Sequence, residues 1–140
     1  MSKINMSFFN AYLELDKICA QKLEIKRGGV TEYINRLVEL RFAPGRNEVL
    51  PKLLRYRKIR NIIAHEEHSF DKLDEITKAD VKWINRFARS VNCKTDPVSR
   101  YERKAVLYSI WKKIRLFLII FLVLGVAALA FMILKKINII

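Results

Sequence analysis

Cysteine, proline, glycine and histidine are all scarce. Across 140 residues there are two cysteines, three prolines, four glycines and two histidines. Cys19 and Cys93 are far apart and lack metal-ligand spacing, so neither a disulfide framework nor a zinc module is expected, and a reduced compartment suits them. Gly28-Gly29 lacks the Lys-Ser/Thr that completes a phosphate loop. No Ser- or Cys-based triad, metal cluster or cofactor motif stands out, so no metal and no cofactor are expected. Nothing alternates with period two, which removes support for a β-sheet. No basic segment followed by an apolar run opens the chain, so a secretory signal is not expected.

Acid is the scarce charge. Net charge is +13. Five of the 27 basic residues lie beyond Trp111 and all 14 acidic ones before it, which leaves +8 on residues 1–111. Such an excess favours anionic partners, nucleic acid or an acidic lipid surface.

What is present is helical periodicity. After Ser7 as N-cap, Phe8, Tyr12, Leu15, Cys19 and Leu23 recur at steps of three and four, predicting a first helix to about Glu24. Lys26-Arg27-Gly28-Gly29 breaks it. Thr31 is expected to cap a second helix to about Arg41, with Ile34, Leu37, Val38 and Phe42 facing inward. Ala43-Pro44-Gly45 reads as a turn. A third helix is expected with Asn47 or a neighbour as cap, Pro51 in its first turn, and its end at Ala64 or His65. Residues 66–76 read as a loop with Phe70 and Leu73 on the core. Thr77 and Asp80 resemble a capping box before a fourth helix that buries Val81, Ile84, Phe87, Ala88 and Val91. Asp96-Pro97 is an N-cap followed by proline at the first helical position.

Nothing obliges that fifth helix to stop before the uncharged run Leu116 to Leu134. Its 19 residues would span roughly 28 Å at about 1.5 Å per residue, close to a hydrocarbon core. Tyr108 and Trp111 stand where an interfacial belt would be, followed by Lys112, Lys113 and Arg115. Arg100, Arg103 and Lys104 add to that flank, while only Lys135 and Lys136 lie beyond the run. The positive-inside rule then predicts a single-pass inner-membrane protein with its N-terminal domain in the cytoplasm, held by a tail anchor. The expected organisation is a helical domain over 1–96, a basic juxtamembrane helix over 97–115, a span over 116–134 and a short far-side tail over 135–140.

The third helix carries the chemistry. At 100° per residue, Val49, Leu53, Tyr56, Ile59 and Ile63 share one arc, and Arg60 falls inside it. A charge on an apolar arc is costly unless it is paired or reaches a cleft. Arg60 pairing with Asp74 or Glu75, and His65 simply favoured by the helix C-terminus, is the structural alternative. Beside the arc runs a strip that is apolar at Leu50 and Leu54 and polar at Arg57, Asn61 and His65.

Arg60-Asn61-Ile62-Ile63-Ala64-His65 resembles the signature of the HEPN family: an Arg followed by a polar residue, then a His after a short gap. The helix holding Thr31-Glu32-Tyr33-Ile34 is similar to one in small bacterial members. The resemblance implies an all-α, four-to-five-helix HEPN-like bundle over about residues 7–95, its long C-terminal helix continuing into the membrane. It implies a metal-independent endoribonuclease acting as a homodimer, in a bacterial defence or toxin–antitoxin role with an antitoxin or other regulatory partner. In that reading His65 is the general acid or base at the ribose 2′-hydroxyl and the leaving oxygen, Arg60 holds the scissile phosphate, and Asn61 orients either. Arg55, Arg57 and Lys58 would guide the RNA backbone. The alternative is a non-catalytic module of the same fold that binds nucleotide, RNA or a protein at the membrane. Members silenced by nucleotidylation carry a Tyr two residues after the His; Glu67 stands there, so that regulation is not implied.

Overall fold

The computed structural model describes residues 3–65 and 76–137, and of His65 the backbone alone. Among the described residues five α-helices follow one another: α1 Lys3–Lys22, α2 Gly29–Glu39, α3 Arg46–His65, α4 Lys78–Asn92 and α5 Pro97–Lys136. No strand occurs among the described residues. The chain divides into two units, residues 1–102 and 103–140.

In the first unit α1 is the hub, packed on both α2 and α4, with α3 against α2 and α1. Its Phe8, Tyr12, Leu15 and Cys19 are buried at the expected spacing. From α3, Leu53, Tyr56, Ile59 and Ile63 enter the same core, and Val49 is half-buried against it. Edge-on and stacked rings tie the helices together: Phe8 on Tyr56 at 5.6 Å, Tyr56 on Trp83 at 5.4 Å, Trp83 on Phe87 at 5.1 Å.

Helix ends follow from local chemistry. α1 and α4 stop in the same way, with Glu24 and Lys94 in the left-handed region at φ 56°. The next amide reaches back to the helix in each case, Ile25 to the Ala20 carbonyl and Thr95 to that of Ser90. α4 opens with the expected capping box between Thr77 and Asp80. α5 opens as expected too: Asp96 accepts from the Ser99 amide at 3.3 Å, and its carbonyl accepts from Arg100. Asp96 is 1 % exposed and also takes the Lys22 ammonium at 2.7 Å and the Tyr33 hydroxyl. Burial alone would push its carboxyl up. The hydrogen bonds from Lys22, Tyr33 and Ser99 outweigh that and hold it below the ordinary value.

Several expectations were displaced. Thr31 does not cap α2. The helix starts three residues earlier, at Gly29 with Gly28 as N-cap, where Asp16 of α1 accepts from the Val30 amide at 2.8 Å. Gly29 makes this possible, since a Cβ there would lie 2.1 Å from the Asp16 carbonyl oxygen. Val38 and Phe42 face outward, at 51 % and 87 % exposure. The buried stripe is Val30, Tyr33, Ile34 and Leu37, and the helix ends at Glu39 before Phe42 can join it. Likewise α3 starts at Arg46, with the Glu48 and Val49 amides accepted by the Gly45 carbonyl, so Pro51 lies beyond the first turn. Val81 is half-buried. The expectations for Phe70, Leu73, Asp74 and Glu75 lie outside the described residues.

In the second unit α5 continues to Lys136, and its apolar stretch is fully exposed: Leu116 60 %, Phe121 71 %, Leu124 62 %. One helix is therefore long and apolar enough to cross a membrane. Burying one large apolar side chain is worth about 1.5–3 kcal/mol, so an unbroken run left in water would be strongly disfavoured. Tyr108 and Trp111 stand exposed just ahead of it, with Lys112, Lys113 and Arg115.

Candidate phosphate-binding cleft

A cleft of about 620 Å³ opens between α1, the α1–α2 turn and α3. From α3 it receives Arg57, Arg60 and Asn61. The facing walls carry Tyr12, Asp16 and Lys17 from α1, and Lys26, Arg27 and Gly28 from the turn. Five cations and one carboxylate among the described residues thus line one cavity. Among the described residues none of the five cations makes an ion pair.

Each position has a local cause. Arg57 and Arg60 are half-buried because their stems lie beside the core arc of α3 while their heads reach the cleft. This meets the expectation that Arg60 must be paired or reach a cavity. Its guanidinium also donates weakly to the Asn61 side-chain oxygen at 3.4 Å. Gly28 reverses the chain at φ 71° and leaves α2 without a side-chain cap of its own. The turn can then present Lys26 and Arg27 beside the first turn of α2. Asp16 spends one oxygen on the Val30 amide. Tyr12 is 3 % exposed, and burial pushes its hydroxyl up to about 12; the Asp16 charge adds to this, while Arg60 and Arg57 work against it. The phenol stays protonated at neutral pH and can donate.

The sequence-predicted residues separate into groups. Arg57, Arg60 and Asn61 come together in the cleft. Arg55 does not line it: it reaches Asp80 of α4 at 3.5 Å and lies over the Tyr56 ring. Lys58 is exposed and is not among the lining residues. His65 is the last residue of α3, one helical step of four beyond Asn61, and its side chain lies outside the described residues, as do Glu67 and His68. Sequence reasoning missed the opposite wall. Lys26 and Arg27 were read as a helix break, and Tyr12 as core alone. The available signal was a second face of α1, Leu13, Asp16, Lys17, Ala20 and Gln21, spaced at three and four.

A family described as a family of unknown function (DUF6548) matches residues 6–115. The chain belongs to this family. No curated protein and no solved structure matches the chain. The DUF6548 match takes in all of the cleft and stops one residue before the uncharged run begins at Leu116. The DUF6548 description names no activity, so a functional reading has to come from the cleft.

Proposed function

We propose that this chain is a membrane-tethered, HEPN-like RNA-binding domain that cleaves RNA without a metal. The observation that carries the reading is the convergence of Arg57, Arg60 and Asn61 with Lys17, Lys26 and Arg27 on one cleft. The described residues of the cleft carry four more positive than negative side chains, which suits a polyanion. Arg60 would hold the scissile phosphate and offset the charge that builds on its oxygens. His65 would take the proton of the 2′-hydroxyl, and the same residue of a partner copy would return one to the leaving 5′-oxygen. The 2′-oxygen bonds to phosphorus as the P–O5′ bond breaks, leaving a 2′,3′-cyclic phosphate and a 5′-hydroxyl. This chemistry selects RNA over DNA. The apolar stretch of α5 would span the inner membrane, with the basic flank and the cleft on the cytoplasmic side. A regulatory partner such as an antitoxin would act there.

The test is cleavage by the full chain in detergent micelles with chelator present. Products ending in a cyclic phosphate are expected from wild type, and Arg60→Ala and His65→Ala should each abolish them. Intact RNA with wild type would remove the enzymatic reading. One observation favours a second reading, a non-catalytic module binding RNA or nucleotide. The cleft is walled entirely by one chain and needs no second copy to form. Retained RNA binding without cleavage would select it.

A further inference from the structure

The cleft gathers more cations than the single charge of one internal phosphodiester can engage. A strand carries one negative charge per phosphate, spread along its length. A protein that tracks it sets cations in a row. Arg55 and Lys58 would lengthen such a row along α3, yet neither lines the cleft, and Arg55 is turned to Asp80. Instead α1, the α1–α2 turn and α3 place their cations around one open cleft. Convergence of this kind suits a compact group with more than one charge. A phosphate monoester is such a group. Its second proton leaves near pH 6, so it carries about −1.5 to −2 at neutral pH, against −1 for a diester. At equal distances its Coulomb attraction to the same cations is nearly double.

We propose that the cleft takes a terminal phosphate monoester, and that Lys26 and Arg27 on the α1–α2 turn, with Lys17 on α1, determine that preference. The proposal rests on the reading that this cleft is the anion site of the domain. Arg57 and Arg60 meet the ligand from α3 whatever its ends. The opposite wall supplies the additional charge that only a dianion uses in full. Asp16, the single carboxylate among the described residues of the cleft, is drawn toward the start of α2 by the Val30 amide. Tyr12 adds a neutral donor that does not change with pH in the working range. The terminal phosphate could belong to an RNA end or to a free nucleotide; the chemistry recognised is the same.

The experiment uses the full chain in detergent micelles and a 2′-O-methyl RNA octamer, which cannot be cleaved through the 2′-oxygen. Its affinity is measured with hydroxyl ends, with a 5′-phosphate and with a 3′-phosphate, beside a nucleoside 5′-monophosphate. One phosphorylated octamer is expected to bind at least about tenfold more tightly than the hydroxyl-ended one at pH 7.5. The preference should shrink at pH 5, where the monoester has gained a proton. In Lys26→Ala/Arg27→Ala the preference should fall below about twofold while hydroxyl-ended RNA still binds. Both side chains are exposed, so the fold should survive, and Trp83 fluorescence verifies it. Equal affinity for all three octamers, with every one weakened by Arg60→Ala, overturns the end preference and leaves the RNA site standing. Binding of the mononucleotide without any octamer keeps the monoester preference and removes RNA as its source. No binding by any of the four overturns both.

Discussion

Replacing Gly29 by alanine should damage this domain, although the same change in most helices is stabilising. Alanine is favoured over glycine by about 0.5–1 kcal/mol inside a helix. At Gly29 the added methyl would lie 2.1 Å from the Asp16 carbonyl oxygen, 2.3 Å from the Ala20 amide nitrogen and 2.9 Å from the Ala20 Cα. All three atoms are backbone, so no side chain can swing aside. Relief requires α1 and α2 to move apart by more than an ångström. That shift would loosen Leu15 and Cys19 against Val30 and Tyr33, and would break the Asp16–Val30 hydrogen bond. Overpacking costs about 1–3 kcal/mol where side chains can adjust; with backbone on both sides the upper end is expected. The lost bond adds about 1 kcal/mol. For a domain of this size, each kcal/mol lowers the melting temperature by about 4–8 °C. A fall of roughly 12 °C or more should follow. The assay is thermal unfolding of the full chain in micelles, followed by Trp83 fluorescence in a Trp111→Phe background. Trp83 is stacked on Phe87 in the core and reports on the bundle alone. Gly28→Ala serves as the control, since nothing lies within 4 Å of a Cβ there and only its φ of 71° is strained. An unchanged or higher melting temperature for Gly29→Ala would refute the close approach of α1 and α2.

Other expectations follow from the helix ends and the buried ion pair. Because the folded Asp96 carboxyl is held below its ordinary value of 3.8, it binds fewer protons folded than unfolded. The stability it contributes is present above pH 3.8 and is lost as pH falls from there through the folded value. Asp96→Asn should destabilise at neutral pH by about 3 kcal/mol, since the half-buried Lys22 loses its carboxylate partner, and should flatten the acid limb of the melting curve. A variant as acid-sensitive as wild type would show that other carboxylates set that limb. Glu24→Gly should raise stability by about 0.5–1 kcal/mol in chemical unfolding, because glycine adopts φ 56° without the Cβ penalty; a lower midpoint would contradict the helix end described. Tyr56→Phe removes the 2.8 Å bond to Asp80 and should cost about 1 kcal/mol in the same assay, with no loss there arguing against the α3–α4 link.

Features that depend on neighbours in sequence were legible. The α1 stripe, the Thr77–Asp80 box, Asp96-Pro97 and the arc of α3 all come from spacing or from side chains bonding within a turn. Features that depend on distant partners were not. The start of α2 is decided by Asp16, fourteen residues earlier and on another helix. Phe42 lies outside the core because α2 ends at Glu39, which its own apolar pattern does not mark. For the cleft, half was readable: a charged Arg60 on an apolar arc has few places to go. The other half needed the left-handed Gly28, whose reversal sets Lys26 and Arg27 beside the first turn of α2, on the same cleft as Arg57 and Arg60. The second face of α1 was spaced for a helix, but its place opposite Arg57 and Arg60 is set by packing between helices.

The most direct test of the cleft is the salt dependence of RNA binding by the full chain, compared with Arg57→Ala/Arg60→Ala. Each phosphate contact on a single strand contributes about −0.7 to the slope of log affinity against log salt. If the two arginines hold phosphate in the cleft, the double variant should bind at least about tenfold more weakly, with a slope shallower by about 1.4. An unchanged slope and affinity, with RNA held by the basic flank of α5 instead, would contradict the assignment of the cleft as the RNA site.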